Sequence, residues 1–229
     1  MKKFYDSEDK LLVSVDCIIF GFQDNELKLL LVKRRVDPLQ GQWSLMGGFV
    51  KKTESVDQAA SRVLNYLTGL DNVFMEQIGV FGEVNRDPGD RVVSAVYYAL
   101  INIADYDQQL AESHNAVWYP FKELPEVILD HRQMVEKALR QLKRKAAIEP
   151  IGFNLLPEYF TLPQLQSLYE AIYDQTLDKR NFRKKVLAMD VLEKTTLKDK
   201  SESKKGAFLF HFAEEKYNEL ISKGSSFAV

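Results

Sequence analysis

Cysteine is almost absent: the single Cys17 among 229 residues excludes an internal disulfide and fits a reducing compartment. Set within an apolar run, it reads as a small buried hydrophobe. Histidine is nearly as scarce, and His114, His131 and His211 lack metal-ligand spacing, so no zinc site is expected. No apolar run approaches the roughly 20 residues that cross a bilayer, so no membrane partner is expected. The opening Met1–Lys10 turns polar and acidic where a signal peptide needs an apolar core, and the expected location is cytoplasmic. Internal repeats and low-complexity tracts are also missing.

What is present fits a packed globular chain. Apolar residues make up 45% and charged residues 28%, too much hydrophobic material for a disordered protein. The length allows one large domain or two smaller ones. The formal net charge is only −2, but it is unevenly spread. From Lys179 to Lys205 ten Lys/Arg face four Asp/Glu, a local +6 that leaves −8 for the remainder. Such asymmetry points to a segment that meets a polyanion.

In chain order, residues 11–20 and 27–35 are β-rich arms separated by Gln23-Asp24-Asn25-Glu26, which reads as a hairpin. Strand patterns follow at Val80–Glu83 and Val92–Leu100, joined by Asn85–Arg91, whose Asp, Pro and Gly suit a loop. A helix is expected from about His131 to Ala147, with Met134, Val135, Ala138, Leu139 and Leu142 on its apolar face. Glu149-Pro150-Ile151-Gly152 then breaks the helix and marks a domain boundary.

Beyond it, Thr161 is a good N-cap with Pro163 early in the helix. Leu162, Leu165, Leu168, Tyr169, Ile172 and Tyr173 supply that helix's core face. After the turn at Gln175–Asp178, Asp178 caps a second helix from Lys179 to about Met189, with Phe182, Val186 and Met189 along one arc. Arg180 and Lys184 lie nearly opposite, Asn181 and Arg183 on the flanks, and Lys185 nearer the core edge. Two helices joined by a tight turn, the second presenting basic and amide groups, follow helix-turn-helix logic. Leu192–Thr195 and Ala207–Phe212 pair as strands around a lysine-rich wing from Lys198 to Gly206.

The stretch that organises the first half runs from Gly47-Gly48-Phe49-Val50 through Glu54 and Arg62 to Gly69-Leu70. Val56, Ala59, Ala60, Val63, Leu64 and Leu67 form a helical stripe. Glu54 sits near a helix N-terminus, where negative charge is favourable, and within reach of Arg62. Gly69 suits a left-handed C-terminal cap.

This spacing resembles a Nudix box, Gly-x5-Glu-x7-Arg-Glu-apolar-x-Glu-Glu-x-Gly-apolar, and Trp43-Ser44-Leu45-Met46 resembles the family's approach to it. Val63, Tyr66 and Leu67 stand where the family places three ligand glutamates. Positions three and four apart share one helix face, and there the family gathers the hard oxygen ligands for Mg²⁺ or Mn²⁺. Valine, tyrosine and leucine do not replace them. No metal, no cofactor and no catalytic residue is therefore expected. The loop Asn85–Arg91, Trp118-Tyr119-Pro120 and Asp130-His131 resemble the ADP-ribose-pyrophosphatase-like branch.

A degenerate Nudix frame followed by a basic winged helix resembles the Nudix-related transcriptional regulators of the NrtR and AraR type, over roughly residues 8 to 215. The resemblance implies an α+β chain: a Nudix domain, an α/β/α sandwich, over residues 1–149, then a winged helix-turn-helix DNA-binding domain over residues 150–229. It further implies a homodimeric repressor of double-stranded operator DNA whose Nudix domain senses a small molecule. Missing metal ligands turn the expectation towards a neutral pentose, L-arabinose, and sugar catabolism. The alternatives are an ADP-ribose-responsive regulator of NAD metabolism and a Nudix hydrolase using Glu54, Glu76 or Glu83 as substitute carboxylates.

For DNA, the expected contacts are Arg180, Asn181, Arg183 and Lys184, since arginine can hold guanine and asparagine adenine bidentately. Lys204 and Lys205 in the wing suit phosphate contacts. A solvated helix face and a polar loop are the plainer alternatives. For the effector, Glu83, Arg86, Asp90 and Arg91 offer hydrogen-bonding partners and Trp43 an apolar wall, with surface pairing or core packing as the alternative. His131 beside Asp130 reads as a helix start rather than a catalytic dyad.

Overall fold

The structure is a computed structural model that describes residues 4–5, 7–71, 73–105, 109, 113–201 and 205–228. β1 (Leu12–Gln23) and β2 (Glu26–Lys33) form the expected antiparallel hairpin. Its turn residues Asp24 and Asn25 both take positive φ, 56° and 61°, the conformation that two-residue hairpin turns favour and that Asp and Asn tolerate. β1 is the spine of the sheet. It pairs in parallel with β6 (Val92–Asn102), while β5 (Phe74–Phe81) flanks β6, β7 (Ala116–Pro120) pairs with β2, and β3 (Trp43–Ser44) closes the far edge of β2.

Alternation along β1 builds two cores. Val15, Cys17 and Ile19 face α1 (Val56–Thr68), whereas Ile18 and Phe20 face α2 (His131–Ala146). The period-two pattern of a strand thus produces the expected α/β/α sandwich. Cys17 is fully buried, and burial pushes its thiol up, in keeping with a packing role.

Along one edge β1 has two successive partners. It pairs with β4 (Met46–Phe49) over Ser14–Cys17 and with β2 over Ile19–Gln23. Where the two part, a cleft opens. Gly47 permits the close approach, because a Cβ there would stand 2.5 Å from Asp16 Oδ1 and 2.8 Å from the Val15 carbonyl oxygen.

The second half holds a 3₁₀ turn (Pro150–Leu155), β8 (Phe160–Thr161), α3 (Leu162–Tyr173), α4 (Lys179–Ala188), β9 (Leu192–Asp199), β10 (Ala207–Phe212) and α5 (Glu214–Ser222). Thr161 caps α3 through a capping box with Gln164, and Asp178 caps α4 by accepting from the Asn181 N–H. Both caps agree with the sequence reading. Two features were not legible. β9 runs to Asp199, so Lys198 belongs to the strand rather than the loop, and β8 adds a third strand to the wing sheet, in the order β8-β10-β9.

The two halves share one hydrophobic core. Leu29 and Leu31 of β2, Leu142 and Ala146 of α2, Ile151 and Leu155 of the 3₁₀ turn, and Leu165, Leu168 and Ile172 of α3 form a continuous buried cluster that reaches Phe182 on α4. Two cross-links add to it: Lys122 Nζ lies 2.6 Å from Asp174 Oδ1, and Lys143 Nζ donates to the Tyr173 carbonyl at 3.4 Å. Among the described residues no helix is long and apolar enough to cross a membrane.

Candidate functional site

The cleft between β2 and β4 has a volume of about 480 Å³. Its floor is a buried polar network. Arg86 donates from Nε and Nη2 to the two oxygens of Asp130, at 2.9 and 2.7 Å, and lies 3.8 Å from Asp16. Asp16 accepts from the Ser94 hydroxyl at 2.6 Å and stands 3.8 Å from His131 Nε2. The Leu45 N–H donates to His131 Nδ1 at 3.1 Å, which puts the imidazole proton on Nε2, facing Asp16. Burial pushes the His131 pKa down, outweighing the pull of Asp16 and Asp130, and keeps the ring neutral.

At one wall, α1 begins at a capping box between Ser55 and Gln58 and ends at Gly69, whose φ of 72° makes it the expected left-handed cap. Glu54 accepts from Arg62 Nε at 2.8 Å and Nη2 at 2.6 Å, and from the Lys51 N–H at 2.9 Å. These bonds, Arg62 foremost, hold Glu54 down to about 2. Val63 and Leu67 point into the core beneath the sheet, while Tyr66 remains exposed at the cleft mouth. Two apolar side chains and a phenol do not fit a divalent cation that demands clustered carboxylates. Among the described residues no group of three His, Cys, Asp or Glu side chains is placed to hold a metal ion.

The rim is cationic. Arg34 Nε donates to the carbonyls of Pro38 at 2.6 Å and Val36 at 3.0 Å, and Arg35 Nη2 donates to the Ser113 carbonyl. Arg62 and Arg86 are balanced by Glu54 and Asp130. Among the described residues, Arg34 and Arg35 have no carboxylate within ion-pair distance, so their charge is left for the cleft. In the sequence both stand at the end of a hairpin arm, two consecutive arginines just beyond the close of β2.

Of the five residues expected to bind an effector, only Arg86 lines the cleft. Trp43 is turned to the other core, edge-on to Tyr119 at 5.1 Å with the Lys33 ammonium over its ring at 5.1 Å. Strand alternation explains that placement: Ser44, not Trp43, faces the cleft. Glu83 and Asp90 are exposed, and Arg91 donates to the Glu83 carbonyl at 3.2 Å, tying the two ends of the Asn85–Arg91 loop. Asp130, which starts α2 as read, makes no side-chain cap, being committed to Arg86.

The substitute carboxylates do not converge. Glu54 is held by Arg62. Glu76 faces α2, where burial alone would raise its carboxyl, but bonds from Lys145, Tyr98 and Gln141 win and hold it below the usual range. Glu83 is on the surface.

A second surface lies on α4. Phe182 and Val186 are buried, and Arg180, Asn181, Arg183, Lys184 and Lys185 are all exposed, their side chains with no carboxylate partner among the described residues. Lys205 is exposed beside the wing, and Lys204 lies outside the described residues. On β9, Lys194 and Lys198 bracket the half-exposed Phe208 ring, their ammonium groups 3.6 and 4.4 Å from its centroid. An i, i+4 pair on a strand shares one face; that spacing was present in the sequence.

Comparison with known proteins agrees with this geometry. Residues 10–141 match the NUDIX domain and residues 152–212 match the NrtR DNA-binding winged helix domain. The chain is 33% identical over 211 residues to an ADPR responsive transcriptional repressor, NtrR, of Acinetobacter baylyi, covering 90% of this chain and 84% of that protein. It resembles the crystal structure of Shewanella oneidensis NrtR complexed with a 27mer DNA, at a TM-score of 0.80 and 31% identity, over 90% of this chain and 95% of that one. The NUDIX domain of the same protein complexed with ADP ribose matches at a TM-score of 0.52 and 30% identity, over 61% of this chain and 94% of that one.

Proposed function

Since this chain belongs to the NrtR-type family of Nudix-related transcriptional regulators, we propose that it represses transcription by binding operator DNA through α4 and the wing. The Nudix cleft binds ADP-ribose or a close relative of it as effector. Residues 1–149 sense the effector and residues 150–229 bind DNA, as a homodimer matched to a two-fold symmetric operator.

The observation that carries the effector reading is the cationic rim of Arg34 and Arg35, which have no carboxylate partner among the described residues, over a cleft of about 480 Å³. Arginine forks match phosphate oxygens, whereas a neutral pentose gives them nothing to neutralise. The relatives favour the same choice, one responsive to ADPR and one complexed with ADP ribose. The nucleotide effector therefore replaces L-arabinose as the main reading, and NAD metabolism replaces sugar catabolism. The cleft binds without cutting, because Val63, Tyr66 and Leu67 supply no metal ligands.

A gel shift of the full chain on promoter fragments from its own genome tests this. ADP-ribose should change the fraction of DNA retained, L-arabinose should not, and binding should weaken steeply with salt. A response to L-arabinose alone, or ADP-ribose hydrolysis without any DNA shift, would overturn it.

A further inference from the structure

The three positions where the Nudix pattern sets its ligand glutamates have separate fates. Val63 and Leu67 are 4% and 9% exposed, absorbed into the core, whereas Tyr66 is 63% exposed. A large aromatic ring left open at a cleft mouth gains little from packing on its own protein. It is nevertheless held in place, for His114 lies against it with ring centroids 4.4 Å apart and planes tilted by 51°. Both residues line the cleft.

His114 arrives from a separate segment that is fastened to β2. Arg35 Nη2 donates to the Ser113 carbonyl on one side of it, and the Lys33 N–H donates to the Asn115 carbonyl at 3.3 Å on the other. The rim that presents arginine charge thus also carries the His114 half of the aromatic pair, and Tyr66 meets it from α1.

We propose that Tyr66, backed by His114, is a stacking platform for one ring end of an anionic diphosphate ligand, and so sets the cleft's preference for nucleotide-sugar chemistry over bare phosphate. The proposal rests on the effector reading above. A position that serves metal catalysis in the family pattern serves recognition here. The flat face presented to Tyr66 belongs either to the base or to the terminal sugar, both of which pack on an aromatic ring.

Calorimetric titration of the full chain and of its Y66A and Y66F variants against ADP-ribose, ADP, ribose 5-phosphate and inorganic pyrophosphate tests it. Thermal melts confirm that each variant folds. Y66A should weaken ADP-ribose about tenfold, as loss of one stacked ring predicts, Y66F should bind as the parent does, and pyrophosphate should be unaffected. A loss shared by ADP assigns the platform to the base; a loss seen with ADP-ribose and ribose 5-phosphate but not with ADP assigns it to the terminal sugar. Unchanged ADP-ribose affinity in Y66A, or an equal loss for pyrophosphate, overturns the platform alone. If the parent chain binds none of the four, the effector reading and the platform fall together.

Discussion

Arg86 and Asp130 meet fork to fork, two hydrogen bonds of 2.9 and 2.7 Å across 44 positions of sequence. The pair joins the Asn85–Arg91 loop to the first turn of α2, and both side chains are shielded, at 3% and 14% exposure. Coulomb attraction in such a place offsets desolvation only while both charges are present. Asp130→Asn should therefore destabilise the chain by about 3–5 kcal/mol, the cost of taking the bidentate partner from a buried guanidinium and leaving it the more distant Asp16. The double change Arg86→Met with Asp130→Leu should cost less than the single one. Urea melts of the two variants check this; a loss below about 1 kcal/mol for Asp130→Asn would mean the pair is solvated.

The rim arginines make a different kind of prediction, because among the described residues their side chains donate to backbone carbonyls alone. Arg34→Ala should leave the melt nearly unchanged while weakening ADP-ribose by about 1.5–3 kcal/mol, the usual worth of a charge-assisted hydrogen bond. Its binding should also become less sensitive to salt. Arg35→Ala should lose the same contact and loosen the strand-to-loop tie at Ser113 as well. Calorimetry at two salt concentrations separates the effects. Unaltered affinity in both variants would remove the phosphate from the rim.

How legible all this was depends on how local each feature is. The α1 frame, with Glu54, Arg62 and the Gly69 cap, was readable because capping and i, i+8 pairing are short-range. So were the Thr161 and Asp178 caps and the exposed basic face of α4. The cleft floor was not. Asp16, Ser94, Arg86 and Asp130 come from four separate segments, brought together by the parallel pairing of β1 with β6 and by the docking of α2. Nothing in the spacing of those residues announces their meeting. Trp43 lies outside the cleft for a narrower reason, that a one-residue difference in a two-residue strand decides which face a side chain takes.

The Glu54–Arg62 pair sets a pH dependence. Glu54 is held to about 2 in the fold against an ordinary 4.5, so its depressed pKa contributes stability that is complete above about pH 4.5. That contribution fades as pH falls and is gone below about 2. Glu54→Gln should be less stable than the parent at neutral pH and should lose less on acidification between those values. Melting curves at pH 6, 4 and 3 on parent and variant provide the comparison. Parallel pH profiles would show that the carboxylate is not held by Arg62 in solution.

The two basic surfaces should respond differently to mutation, because one is a rigid helix face and the other borders a loop. Asp178 anchors α4 by accepting from the Asn181 N–H at 2.8 Å, and Phe182 and Val186 lock its inner face into the core. Arg180 and Asn181 therefore project from a backbone of fixed orientation. That is what base-edge recognition requires, at about 1–3 kcal/mol of discrimination for each good pair. Lys205 lies next to Gly206, whose φ of 69° turns the chain into β10. A flexible ammonium beside a turn suits a phosphate, which fixes position without reading sequence. Arg180→Ala should shrink the gap between operator and scrambled DNA by about tenfold, whereas Lys205→Ala should weaken both alike and reduce the salt slope by about one. Fluorescence anisotropy on both DNAs across a salt series measures the two quantities. If both variants lost affinity equally on operator and scrambled DNA, α4 would be a phosphate-binding helix and base reading would have to lie elsewhere.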